Sequence, residues 1–171
     1  MKLRPLFLIS CAVSLFSYVS IAQSNKVSDD PKIKLNFLAE SQQFMNGNYS
    51  ASIPLYESVL KQDNLLTKDY WYVLIDNLGM AYGITGDLKS AEKLFKYGLT
   101  KDATYPMFYF ELACASAENN DMKSCISYLK TANKFKKNVL PGETFPDPAK
   151  DDSFQRFMNN AEFLEALKEL K

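Results

Sequence analysis

Histidine is missing from all 171 residues. Its absence removes the usual general base at neutral pH, the Ser-His-Asp and Cys-His nucleophile arrangements, and the commonest zinc ligand. Cysteine is scarce: Cys11, Cys114 and Cys125 are the three, and no Cys-x-x-Cys spacing joins any two of them, so neither a zinc knuckle nor a thioredoxin-like site is present. An excess of charge is lacking too. Lysine plus arginine number 20 and aspartate plus glutamate number 20, which leaves no field to draw in nucleic acid or an anionic membrane surface. Gly83-x-x-Gly86 matches neither a phosphate-binding loop nor a dinucleotide fingerprint. Asp29-Asp30 and Asp151-Asp152 lack the alternating oxygen ligands of a calcium loop and read as leader polarity and a helix cap. No cofactor, metal or catalytic residue is therefore expected.

What the chain does have is apolar content, 47% hydrophobic, enough for one core-forming domain. Part of it stands at the N-terminus. Lys2 and Arg4 precede an apolar run from Leu6 to Ala22 that closes on Ser20-Ile21-Ala22, the layout of a secretory signal, with cleavage expected after Ala22. An uncleaved anchor is disfavoured by the small-residue exit. A lipidation box at Leu8-Ile9-Ser10-Cys11 is disfavoured because most of the apolar run follows Cys11. The expectation is an exported protein, periplasmic or secreted, with residues 1–22 as signal, 23–31 as a polar flexible leader and no further membrane segment.

The remainder is periodic. Leu78, Gly79, Tyr82, Gly86-Asp87, Ala91, Phe95 and Gly98 are answered 34 residues later by Leu112, Ala113, Ser116, Asn120-Asp121, Cys125, Leu129 and Ala132. Small residues at 79 and 91 let two antiparallel helices approach, large ones at 78, 82 and 95 fill the space beside them, Gly86 permits the turn, and Asp87 caps the second helix. A weaker copy lies upstream, with Gly47-Asn48 at the turn and Ser52, Tyr56 and Val59 in its second helix; Pro54 stands early in that helix. Thr67 to Trp71 exceed the period and are expected to lengthen a connection.

Leu78-Gly79-x-x-Tyr82 followed by Ala91-x-x-x-Phe95 resembles the tetratricopeptide repeat, with Ile75 in place of the consensus aromatic and Ala103 in place of its final proline. The resemblance runs from about Ile33 to Leu170. It implies an all-α fold: antiparallel helix hairpins in a right-handed superhelix of about three repeats (33–66, 72–105 and 106–140) within a domain 32–171. Phe145-Pro146-Asp147-Pro148 and Asp152-x-Phe154-x-x-Phe157 resemble the segment that closes many bacterial arrays. Asp152 with Gln155 reads as a capping box opening a helix, and Phe154, Phe157 and Phe163 give residues 151–171 the apolar stripe of a cap over the last hairpin.

In such arrays the inner faces of the first helices form a groove for a partner peptide. By offset, that groove comprises Phe37, Ser41 and Phe44 from unit one, Val73, Asp76, Asn77 and Met80 from unit two, and Met107, Phe110, Cys114 and Glu118 from unit three. The basic-and-asparagine clamp by which some members hold an acidic tail is matched only at Asn77. The same aromatics at helical spacing also suit packing between hairpins. Cys114 and Cys125 fall at offsets that fit either a disulfide or two small residues at a close helix contact. The functional expectation is a non-enzymatic interaction module or scaffold with a protein or peptide partner. An enzyme or small-molecule carrier using Asp76, Glu111, Glu118 and Cys114 is the alternative.

Overall fold

The structure is a computed structural model and describes residues 30–170. The expected signal, its cleavage point and most of the leader lie outside those residues. Among the described residues the fold is all-α, and no helix is long and apolar enough to cross a membrane.

Three antiparallel hairpins succeed one another: α1 (Pro31–Met45) with α2 (Tyr49–Leu60), α3 (Lys68–Thr85) with α4 (Leu88–Lys101), and α5 (Pro106–Glu118) with α6 (Met122–Lys134). Each helix packs on the next in sequence, the arrangement of a repeat stack. The three hairpin turns are built alike. Gly47, Gly86 and Asn120 take the left-handed conformation, with φ of 77°, 92° and 58°. The residue after each returns its amide to a carbonyl five positions back: Asn48 to Gln43, Asp87 to Tyr82 and Asp121 to Ser116, all at 2.8–2.9 Å. These bonds satisfy carbonyls that a helix end leaves open. Asp87 and Asp121 then accept the amides of Ser90 and Ser124 at 3.0 Å and start the second helices.

The small-residue positions do what the repeat requires. A Cβ placed on Gly79 would lie 2.3 Å from the Phe95 ring, and one on Gly98 2.6 Å from the Phe108 ring, so each glycine is the seat of an aromatic side chain from a neighbouring helix. Ala91 is buried at the same level of the second hairpin. One core runs through the first two hairpins to Tyr105, Met107, Phe108 and Leu112. A second gathers Phe110, Cys114, Cys125 and Leu129 with Phe154, Phe157 and Phe163. Cys114 and Cys125 are both free thiols within it.

Three local expectations are corrected. Pro31 is not part of the leader: it is the first helical residue of α1, where a missing amide costs nothing, and Asp30 caps it by accepting from Lys32 and Ile33 at 2.8 and 3.3 Å. Lys68 to Trp71 are not connection but the first turn of α3, entered through a short 3₁₀ turn at Asp63–Leu65. Asp63 holds that turn in place by accepting from Trp71 Nε1 and the Tyr97 hydroxyl at 2.9 and 2.7 Å. Asp152 does not open a helix by a capping box. Asp151 is the cap, its carboxylate accepting from Ser153 N at 2.9 Å, and the element it starts is a 3₁₀ turn, Asp152–Phe157. The α-helix of the C-terminal segment, α7 (Ala161–Glu169), starts only after Asn160 accepts the Phe163 amide at 3.1 Å, and it packs on α6 as the capping helix.

Candidate functional site

The residues expected in the groove stand on α1, α3 and α5, the first helix of each hairpin. Nearly every residue expected there is buried: Phe37, Phe44, Val73, Asp76, Asn77, Met80, Met107, Phe110 and Cys114 are all 5% exposed or less, while Ser41 and Glu118 are half-buried. The aromatics among them pack within the protein. Phe37 meets Tyr70 edge-on with ring centroids 5.1 Å apart, and Phe44 lies against Tyr49 and Tyr56 at 5.2 and 6.2 Å. Phe110 is flanked by Phe145 at 5.8 Å and Phe154 at 5.6 Å, so the C-terminal segment fills the unit-three part of the inner face from within the chain.

Two ties hold that segment there. Glu143 accepts from the Tyr105 hydroxyl at 2.9 Å and from Leu140 N at 2.8 Å. Arg156 pairs with the Glu118 carboxylate at 2.7 Å and donates to the Glu118 carbonyl at 3.0 Å.

Each of these helices also buries an acid: Glu40 on α1, Asp76 on α3 and Glu111 on α5. Burial drives the Glu111 carboxyl well above the usual carboxylate range, and the charges of Asp76 and Asp151 push it further the same way. Glu40, wholly buried with neither carboxylate oxygen hydrogen-bonded, is raised by burial to about 8. Its field and that of Asp76 both reach Tyr56, whose hydroxyl accepts from Asn77 Nδ2 at 2.9 Å. The Cys114 thiol is raised well above its ordinary value, by burial first and then by Glu111 and Asp151. Cys114 is a buried free thiol and Glu118 is paired with Arg156, so two of the four groups of the catalytic alternative are packed or bonded within the fold.

Sequence spacing did not single out Glu40, Glu143 or Asp151 as parts of this face. Glu40 carried a signal nonetheless: it stands where the second unit has Gly79, a position the repeat reserves for a small residue. Asp151 and Glu143 come after a loop with no fixed period, and only the folded chain brings them to α5. A separate cleft of about 360 Å³ opens beside the start of α3, lined by Asp63, Lys68, Trp71, Tyr72, Lys101 and Asp102 among others. Its acids are already bonded: Asp102 accepts from the Tyr72 hydroxyl and pairs with Lys68 at 3.3 Å.

No family model and no curated protein matches the sequence. Solved structures do resemble the fold. PcrH from Pseudomonas aeruginosa aligns with a TM-score of 0.58 over 85% of this chain and 96% of its own, at 16% identity. PcrH in complex with the chaperone-binding region of PopB gives 0.57 over 84% and 97%, at 14% identity. The Yersinia enterocolitica type III secretion chaperone SycD, in complex with a peptide of the translocator YopD, gives 0.57 over 83% and 94%, at 15% identity. These neighbours are chaperones with a tetratricopeptide-like helical fold, and none is an enzyme. They correct the expected location: type III secretion chaperones are cytoplasmic, which points against a periplasmic or secreted protein.

Proposed function

We propose that this chain is a non-enzymatic protein-binding module that holds a segment of a partner protein along the inner faces of α1, α3 and α5. The observation that carries the reading is the likeness in fold to chaperones solved with a translocator region or peptide bound. Residues 32–171 form one repeat domain in this reading. Ser41 stands at the edge of that face, Phe37, Phe44, Val73, Asp76, Asn77, Met80, Met107, Phe110 and Cys114 shape it from beneath, and Glu118 closes its end in a pair with Arg156.

The test is capture of a specific partner by the tagged full chain in cells of its source. Val73→Thr and Met80→Gln keep the side-chain size and place a polar group on this buried face, at a cost of about 1–3 kcal/mol each. Loss of capture in both variants, while each still melts cooperatively above the assay temperature, is the expected outcome. Undiminished capture by both would place the binding surface elsewhere.

A further inference from the structure

The lysines of the second and third hairpins follow the period of the fold. Lys89 and Lys96 on α4 are answered 34 residues later by Lys123 and Lys130 on α6. Residues four and seven apart stand on one side of an α-helix, so Lys89, Lys93 and Lys96 form one stripe and Lys123, Lys130 and Lys134 another. All six are exposed. The opposite side of α4 carries the buried Ala91, Leu94, Phe95 and Gly98, and that of α6 the buried Cys125, Leu129 and Ala132. Both helices pack on α5, and Tyr128 of α6 also packs against the core that holds Leu94 and Phe95, so the two stripes are neighbours. Acids are scarce beside them. α6 contains none and α4 only Glu92, which pairs with Lys96. The capping carboxylates Asp87 and Asp121 accept the amides of Ser90 and Ser124. Among the described residues Lys89, Lys93, Lys123 and Lys134 have no carboxylate within ion-pair distance. A chain with 20 basic and 20 acidic residues has no surplus that would produce this, so the charge is sorted by face. Nor is it the habit of every exposed helix here: counted from the turn glycines, the first hairpin has Ser50, Pro54 and Glu57 where the second has Lys89, Lys93 and Lys96.

The chain itself shows what a stripe lysine takes. Glu169, carried on the capping helix α7, pairs with Lys130 at 2.7 Å. Carboxylates at i, i+4 and i+7 of a helix rise along its axis by the same steps as Lys89, Lys93 and Lys96, about 6 and 4.5 Å. We propose that the lysine stripes of α4 and α6 together dock an acidic helix of a partner protein, whose glutamates or aspartates pair with Lys89, Lys93, Lys123 and Lys134. The inference is independent of the groove reading, since it uses the other helix of each hairpin. A membrane surface suits these stripes less, because the large exposed apolar side chains stand on other elements and none on α4 or α6 is free to enter lipid. Nucleic acid suits them less as well: the stripes have no arginine to read base edges and no aromatic ring on which a base would stack.

The test is fluorescence anisotropy on the full chain with two helical alanine-based peptides of one composition. One has glutamates at i, i+4, i+7 and i+11; in the other the same glutamates are spread around the helix. The striped peptide should bind at least tenfold tighter than its isomer and weaken as salt rises. Lys89→Gln, Lys93→Gln, Lys123→Gln and Lys134→Gln combined should abolish that preference, and because all four side chains are exposed the quadruple variant should melt as the parent does. Equal binding of the two isomers, or a preference that survives the quadruple variant, would overturn the proposal. Binding of phosphatidylserine vesicles or of single-stranded DNA without binding of the striped peptide would overturn it in favour of a lipid or nucleic-acid surface. A second copy of the chain as the occupant, seen as a dimer that dissociates in the quadruple variant, would also overturn it.

Discussion

Gly79→Ala puts the register of the helix hairpin to a direct test. The new methyl carbon would lie 2.3, 2.4 and 2.9 Å from three atoms of the Phe95 ring, distances that real carbon pairs do not tolerate. Phe95 has little room to retreat, being 1% exposed and packed 6.3 Å from the Phe108 ring. Overpacking of this kind costs about 1–3 kcal/mol, and contacts this short place it at the upper end. Replacing a helical glycine by alanine returns about 1 kcal/mol through backbone entropy. The net is a loss of about 2 kcal/mol, which for a chain of this size lowers the melting temperature by roughly 4–8 °C. Circular dichroism melts of the parent, Gly79→Ala, Phe95→Leu and the double variant would form a cycle in which the smaller side chain relieves the methyl. The double variant should be more stable than the sum of the singles by about 1 kcal/mol or more. A Gly79→Ala protein that melts at or above the parent would refute the close approach of α3 and α4 at this level.

Glu40 makes stability depend on pH. Its folded pKa of about 8 lies above the ordinary 4.5, so the folded state keeps a proton that the unfolded chain releases; stability is full below about 4.5 and falls as pH rises towards 8. Glu40→Gln should remove that slope, gaining on the order of 3 kcal/mol at pH 8 relative to the parent, and urea midpoints at pH 5 and pH 8 would show it; equal slopes in the two proteins would contradict the burial. Asp30→Ala should cost about 1 kcal/mol and speed amide hydrogen exchange in the first turn of α1, because it removes the bonds to Lys32 and Ile33. Phe154→Ala should cost about 3–5 kcal/mol and increase binding of a hydrophobic dye, since this ring is fully buried between Phe110 and Phe163; a shift under about 1 kcal/mol would mean the C-terminal segment does not cap the stack.

The fold was readable where the repeat imposes geometry on single residues. Gly79, Ala91 and Phe95 can occupy only one relative arrangement in two close antiparallel helices, and Gly86 and Asn120 mark turns that demand a positive φ. Legibility ended where contacts depend on chain outside the period. Residues 68–71 looked like surplus because the repeat has no place for them, yet their helix is set by Asp63, which Trp71 and Tyr97 bond from two different helices. The break at 158–160 was hidden because Phe154, Phe157 and Phe163 make an apolar stripe whether or not the helix is continuous. Offset put the expected groove residues on the first helix of each hairpin but did not give their burial. An offset gives the direction of a side chain and says nothing of a later segment that returns to cover it, as Phe145 and Phe154 cover Phe110. Location, which rested on residues 1–22 alone, is the expectation that the solved neighbours point against.

The buried acids mark where the fold gives up stability. A carboxyl at 111, pressed towards its neutral form by burial and by Asp76 and Asp151, makes the fold less stable than an amide of the same shape would wherever the unfolded chain is ionised. Glu111→Gln should therefore raise the melting temperature, and the gain should grow as pH rises, because the folded state holds a proton that the unfolded chain releases above the ordinary carboxylate range. Phe154→Ala should lower it at every pH, because it removes packing and no charge. A Glu111→Gln protein that melts below the parent at both pH 5 and pH 8 would mean that the fold needs the carboxyl itself.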